Sequence, residues 1–237
     1  MPIVSGMTTP LIALTGVTRT YDVAGRSFNA LDDVSLTIDK GEFAVIVGQS
    51  GSGKSTLLGL LSGIDRATAG QVRVGTTEVH TLSEREMSPW RGKTIGIVFQ
   101  FFQLLPTLTA VENVMLPMDF CRMWPASERQ DRAVALLDRL GVADQADKLP
   151  LTMSGGQQQR VAVARALAND PAVILADEPT GNLDSATAAA MLEMLASLAA
   201  DGQTVVMVTH DREARRSASR TITLADGRVV SEERANA

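Results

Sequence analysis

The sequence is poor in residues that build covalent or metal-held frameworks. It has one cysteine, Cys121, and two histidines, His80 and His210. That excludes a disulfide scaffold, leaves too few ligands for an ordinary zinc site, and suits a reducing compartment. Positive charge is not in excess either. Lys+Arg number 22 against 27 Asp+Glu, a net charge of −5, unlike the basic balance of a typical nucleic-acid binder. No run approaches the roughly 18 apolar residues of a membrane span. The opening MPIVSGMTTPLIAL is broken by polar residues and proline, where a secretory signal needs a basic start and a clean apolar core. The expectation is a soluble protein without a lipid anchor, linked to a membrane only through a partner. Apolar residues, by contrast, make up 45% of the 237 positions. That suffices for one large domain, or one domain with a subdomain. Charged residues, at 21%, speak against extended disorder beyond the ends.

Periodicity gives a coarse order of elements. LIALTGVTRTY and LDDVSLTID alternate apolar and polar residues as half-buried strands do. GEFAVIVG is a buried strand, and KSTLLGLLSGI a helix with Leu57, Leu58, Leu61 and Ile64 on one face. GQVRVG and TIGIVFQ read as strands. Ser83 with Glu86, Thr109 with Glu112 and Ser127 with Gln130 are spaced as capping boxes. The last would open SERQDRAVALLDRLG, with Val134, Leu137 and Leu140 on one stripe and Gly141 as its stop. SGGQQQRVAVARALAND and SATAAAMLEMLASLAADG are helices; PAVILADEPT and TVVMVTHD are buried strands; TITLADGRVV is a hairpin turning at Asp226-Gly227. Strands alternating with helices, with a helical insertion near 100–155, predict an α/β domain with a largely parallel sheet and an inserted helical subdomain.

Between the strand FAVIV and the following helix lies GQSGSGKST, which fits G-x-x-x-x-G-K-[ST]. Glycines let the backbone curl so that several N–H groups point at one anion, and the following helix adds its positive N-terminal end. The loop comprises Gly48, Gln49, Ser50, Gly51, Ser52, Gly53, Lys54, Ser55 and Thr56. Lys54 is placed to reach the β- and γ-phosphates of a nucleoside triphosphate, and the Ser55 hydroxyl to ligate Mg²⁺.

A phosphate cradle alone does not hydrolyse. Asp177 ends the strand VILAD, where a carboxylate is costly unless it serves a cation or hydrogen bonds; it is assigned to the Mg²⁺ shell. Glu178, adjacent, should point toward the attacking water as general base or water-orienter. His210 ends VVMVTH. Taken alone it reads as a core or turn histidine, but a strand parallel to the other two would bring it to the same crevice. Ser154 to Arg160, SGGQQQR, is a second hydroxyl-plus-glycine nest at a helix start. In isolation it reads first as a helix cap with glycines for close packing. As a phosphate site it lies about a hundred positions from the first loop. Unless the subdomain folds back, it must then serve another molecule's nucleotide.

Together these motifs resemble, over roughly residues 11–230, the nucleotide-binding subunit of ATP-binding cassette (ABC) transporters. GQSGSGKST, VFQ, SGGQQQR, VILADEPT, GNLD and VTHD stand in the family's order. The resemblance implies a P-loop NTPase with a largely parallel sheet core, an antiparallel β subdomain and a helical subdomain near 101–166, with tails at 1–10 and 231–237. It implies ATP and Mg²⁺ as ligands. Tyr21 would stack on adenine. Gln100 would touch Mg²⁺ and the water. Ser154, Gly155, Gly156 and Gln157 would close on the γ-phosphate held by a second copy. Asp184, in GNLD, would lie in a loop crossing the dimer interface, and His210 would be the switch histidine. Two copies would stack head to tail around two ATPs. The family usually has leucine where this chain has Met153, a swap of similar volume from which a small effect is expected.

VFQFFQLLPTLTAVENVMLPM and LADEPTGNLDS resemble the lipoprotein-release and macrolide-export branch. That implies separate permease subunits with four spans and an external domain, docked in part by Phe99–Met118. Core packing is the alternative for that run. It also implies a place on the cytoplasmic face of the membrane, held there by the permease, and no nucleic-acid partner. Two other readings compete. A DNA-repair or chromosome ATPase would carry a long coiled coil between the two motifs, but the interval 48–154 lacks sustained heptads. A translation factor would carry two cassettes, and here there is one phosphate loop and one signature.

Overall fold

The computed structural model describes residues 9–211 and 213–235. In chain order its elements are β1 (Ile12–Val23), β2 (Arg26–Ile38), β3 (Phe43–Val47), α1 (Lys54–Ser62), β4 (Ala69–Val74), β5 (Thr77–Glu78), α2 (Glu84–Thr94), β6 (Ile95–Val98), α3 (Ala110–Cys121), α4 (Arg129–Arg139), α5 (Gly155–Leu167), β7 (Val173–Asp177), α6 (Ser185–Ala200), β8 (Thr204–Thr209), β9 (Arg220–Ala225) and β10 (Arg228–Arg234).

Two sheets organise them. One is antiparallel, in the order β2-β1-β4-β5; the other runs β10-β9-β3-β8-β7-β6. In the second sheet β9, β3, β8, β7 and β6 are mutually parallel, and only β10 pairs antiparallel. A parallel strand covered on both faces is apolar throughout, and all five residues of β3 are buried. Its alternation feeds two cores. Phe43, Val45 and Val47 pack with residues of α3 to α6. Ala44 and Ile46 pack with α1 and the antiparallel sheet. The α/β class, the parallel sheet and the antiparallel companion are as expected.

Several local readings need correction. Ile64 does not continue the apolar face of α1. Gly63 ends the helix in the left-handed region, φ 65, and Ile64 leaves it 62% exposed. The Ser127–Gln130 box does not form. Pro125 opens a 3-10 turn over Ala126–Glu128, so Ser127 already lies inside a turn and α4 starts at Arg129. On α4 the buried residues are Ala133 and Leu137, with buried Leu140 at the C-cap. Val134 sits one position, about 100°, off Ala133 and is exposed. Strand β2 starts at Arg26, ahead of the expected LDDVSLTID, and β10 runs to Arg234, into the stretch expected as a tail. The boxes at Ser83–Glu86 and Thr109–Glu112 are both formed. The Asp226-Gly227 turn is there too, with both residues at positive φ, 47° and 74°, as a tight hairpin requires. Among the described residues no helix is long and apolar enough to cross a membrane.

Candidate active site

Parallel strands deliver the candidate residues. β3 pairs with β8, β8 with β7, and β7 with β6. Their C-terminal ends therefore stand side by side. The glycine-rich loop leaves β3, His210 follows β8, Asp177 ends β7 with Glu178 next, and Gln100 lies just past β6. Lys54, Ser55, Gln100, Glu178 and His210 line one cavity of about 840 Å³, with Tyr21 and Phe28 also on its wall. This is the crevice at strand ends where open α/β sheets take ligands.

The loop is shaped by close backbone approach. A Cβ on Gly48 would stand 2.3 Å from the Leu224 carbonyl and 2.4 Å from Ser52 Oγ, so only glycine fits. Gly53, with φ 102, is the residue before α1, and no side chain caps that helix start. The first-turn N–H groups of α1 thus have no competing side-chain acceptor. Lys54 is 6% exposed. Its Nζ donates to the Gly48 and Gln49 carbonyls, each at 2.9 Å. An ammonium has three donors, so the side chain is both anchored to the loop and able to reach an anion.

Burial raises the Asp177 carboxyl above its ordinary range; the neighbouring Glu178 charge raises it further, and Lys54 opposes both. Asp177 borders a cavity of about 200 Å³ together with Ser55. A half-buried carboxylate beside a hydroxyl is a donor set suited to a hard divalent cation, whose charge would bring Asp177 back down. Among the described residues no group of three or more His, Cys, Asp or Glu could hold a metal ion. A cation here would therefore also need amide, hydroxyl or ligand oxygens.

Glu178 has φ 47, a left-handed backbone costing on the order of 1 kcal/mol for a residue with a side chain. The fold holds it there: its N–H donates to the Val208 carbonyl at 2.9 Å, and its carbonyl accepts from the Gly181 N–H at 3.0 Å. The bend turns the Glu178 carboxylate to pair with His210 Nδ1, while Asp177 stays in line with the strand. Adjacent carboxylates are thereby given different surroundings.

Tyr21 stands on the wall, but its hydroxyl donates to Asp65 and the Arg19 guanidinium lies over its ring at 4.3 Å. Burial alone would raise the Asp65 carboxyl; bonds from the Tyr21 hydroxyl and Arg66 N–H, with Arg19, hold it below its usual range. Phe28, on β2, lies 5.7 Å from the Tyr21 ring centre to centre and is half exposed. Sequence reading missed Phe28 because it precedes the stretch taken for that strand.

The second motif lies apart. Ser154, Gly156 and Gln157 border a separate cavity of about 350 Å³, and no residue lining it also lines the first. Ser154 caps α5: its Oγ accepts from Gln157 N–H at 3.3 Å, and its N–H donates to Gln157 Oε1 at 2.9 Å. Gly155 is exposed with open space around it. Asp184 caps α6, accepting from Ala186 and Thr187 N–H at 3.1 Å each; the Thr187 hydroxyl and these N–H groups hold its carboxyl below its usual range. Met153 is buried in the core. Of Phe99–Met118, Ala110, Val111, Val114 and Met118 are core, while Phe101 (71%) and Leu105 (43%) are exposed, with Phe120 (78%) just beyond.

Comparison with known proteins agrees with this geometry. The family model described as ABC transporter matches residues 31–181. A macrolide export ATP-binding/permease protein, MacB, of Rhodospirillum rubrum is 49% identical over 221 residues. That alignment covers 93% of this chain but 34% of the relative, so the chain spans about a third of the length of that protein. An uncharacterised ABC transporter ATP-binding protein of Thermotoga maritima is 46% identical, with 94% and 95% of the two chains covered. Among solved structures, the dimeric ATP-binding cassette MJ0796, in a post-hydrolysis state bound to ADP and Pi, is similar with a TM-score of 0.86. It is 43% identical, and 95% of this chain and 99% of that one are covered. The chain belongs to the ABC transporter family, as one of its ATP-binding cassettes.

Proposed function

We propose that the chain binds ATP with Mg²⁺ and hydrolyses it as one half of a head-to-tail dimer that drives a membrane permease. One observation carries this: four adjacent parallel strand ends bring the glycine-rich loop, Glu178, His210 and Gln100 to one cavity, while Ser154–Gln157 border another. One chain holds both parts of a phosphate site without joining them. A second copy, inverted, joins them.

Within each half, the backbone N–H groups of Gly51 to Thr56 and the start of α1 receive the phosphates. Lys54 contributes its charge. Ser55, Asp177 and Gln100 would hold the cation. When bound, it supplies positive charge at the phosphate oxygens. Glu178 takes a proton from the attacking water, and His210 orients the Glu178 carboxylate. Tyr21 and Phe28 offer ring faces to the base. Ser154, Gly155, Gly156 and Gln157 of the second copy close on the terminal phosphate, and Asp184 lies at the interface.

The permease is of the lipoprotein-release or macrolide-export type, four-span with an external domain, and the cassette sits on its cytoplasmic face. The Rhodospirillum rubrum relative, a macrolide export ATP-binding/permease protein, names both parts in one protein. Exposed Phe101, Leu105 and Phe120 are apolar residues available for that docking. Between the two motifs, α2, α3 and α4 have only 11, 12 and 11 residues, too short for the coiled coil of a chromosome ATPase. The test is recovery of Glu178→Gln from membranes solubilised with ATP and Mg²⁺, followed by mass spectrometry. A co-purifying four-span permease is expected; nucleic acid or ribosomes in its place would overturn the transport reading.

A further inference from the structure

Outside the roles above, one buried polar side chain spans the two parts of the molecule that the proposed cycle must coordinate. Gln159 lies on α5, five positions after Ser154, and is 2% exposed. Its Nε2 donates to the carbonyl of Pro179 at 2.7 Å. Pro179 is the residue after Glu178. A buried amide among apolar neighbours is costly unless bonded, and α5 could have carried an alanine or valine here, as it does at Val161 to Ala164.

We propose that Gln159 is a positioning residue: it ties the helix that begins at Ser154 to the loop that carries Glu178. The inference rests on the reading of Glu178 as the water-activating carboxylate. The left-handed backbone of Glu178 is held from three sides. Its N–H is bonded to Val208 on β8, its carbonyl to Gly181, and the next carbonyl to Gln159. The first two bonds belong to the sheet and the loop itself. Only the third comes from the helical part of the molecule. Proline has a fixed φ, which removes one of the two rotations between the Glu178 peptide and the Pro179 carbonyl; the bond from Gln159 Nε2 restrains the other. Motion at the start of α5, where the second copy's nucleotide would press, is thereby passed to the Glu178 carboxylate. Further along the same loop, Asn182 Nδ2 donates to the Gln100 carbonyl at 3.4 Å, which links the Gln100 segment to the loop as well.

The test uses the full chain and four proteins: wild type, Gln159→Met, Gln159→Glu and Glu178→Gln. Methionine keeps the length and removes the donor. Turnover of Gln159→Met is expected to fall about tenfold, the effect of one lost hydrogen bond on a barrier, with KM for ATP within about twofold. A protonated glutamic acid can still donate to the Pro179 carbonyl. Gln159→Glu should therefore recover turnover at low pH and lose it as pH rises, relative to the wild-type profile. Wild-type turnover in Gln159→Met overturns the proposal. So does a joint loss of turnover, ATP affinity and melting temperature with no pH signature in Gln159→Glu, which would make Gln159 a packing residue. If Glu178→Gln also hydrolyses normally, the reading of Glu178 falls and this inference with it; if Glu178→Gln is inactive, a normal Gln159→Met removes the inference alone.

Discussion

The molecule has two glycine-rich helix starts, and they are built in opposite ways. At α1 the preceding residue is Gly53, which has no side chain to cap with, and Lys54 is turned back onto the loop carbonyls. At α5 the preceding residue is Ser154, which satisfies the helix reciprocally with Gln157. The first start leaves its N–H groups for a ligand and is walled by a large cavity. The second has its Gln157 N–H capped by a side chain, leaving only the Gly155 and Gly156 N–H groups of its first turn uncapped, and faces outward. A site that leaves donors uncapped forgoes about 1 kcal/mol of helix stability and is organised before the ligand arrives. A site that caps itself must exchange those bonds when a phosphate comes. On the proposed function, the difference predicts an order: α1 would bind first within one chain, and α5 would engage later, when a second copy presents its nucleotide.

If both starts meet at one phosphate, blocking chemistry should trap the meeting. Glu178→Gln is expected to lower turnover by a factor on the order of 10²–10⁴, to keep ATP affinity, and to sediment as a dimer with ATP. Phosphate release and analytical ultracentrifugation measure both, and a near-normal rate would break the assignment. Lys54→Ala removes a charge and two internal bonds from the first start only. ATP affinity of the single chain should drop about a hundredfold; unchanged affinity by calorimetric titration would remove α1 as the first binder. Ser154→Ala acts on the second start only. Single-chain affinity should hold, while dimerisation with ATP and turnover fall about tenfold, beyond the roughly 1 kcal/mol lost with the cap. Equal losses in single-chain affinity would make the two starts alike and end the contrast.

Much of this site is legible in the sequence because fixed spacing and strand ends report local chemistry. GQSGSGKST needs a strand before it and a helix after it, and has both. Asp177, Glu178 and His210 end apolar strands, and parallel pairing then places them together. Other features are set by what lies across the fold. Ile64 extends the leucine pattern of α1 on paper, but the left-handed Gly63 ends the helix first. Ser127 and Gln130 have the spacing of a capping box, and Pro125 starts a different turn. Phe28 reads as one aromatic in a polar stretch until β2 pairs it with Tyr21. Gln159 is the third of three consecutive glutamines, and only the packing of α5 against the loop after β7 separates it from Gln157 and Gln158.

The smallest expected effect concerns Asp177, where the first start carries a cost of its own. Burial and the Glu178 charge raise this carboxyl in the folded chain. Folding then favours the protonated form: below the ordinary carboxylate range both states are protonated and no penalty exists. As pH rises from that range through the folded value, the unfolded chain ionises more readily and stability is lost, and the loss is complete above the folded value. The group is only half buried, so the effect is discounted for solvent. Asp177→Asn in nucleotide-free protein should therefore raise the melting temperature at neutral pH by about 2 °C, and the gain should vanish near pH 4. With ATP and Mg²⁺ the order should reverse, because the carboxylate is then paired with a cation and asparagine is not. A melting temperature that fell in both conditions would show Asp177 to be an ordinary strand-end acceptor rather than a charge held ready for a cation.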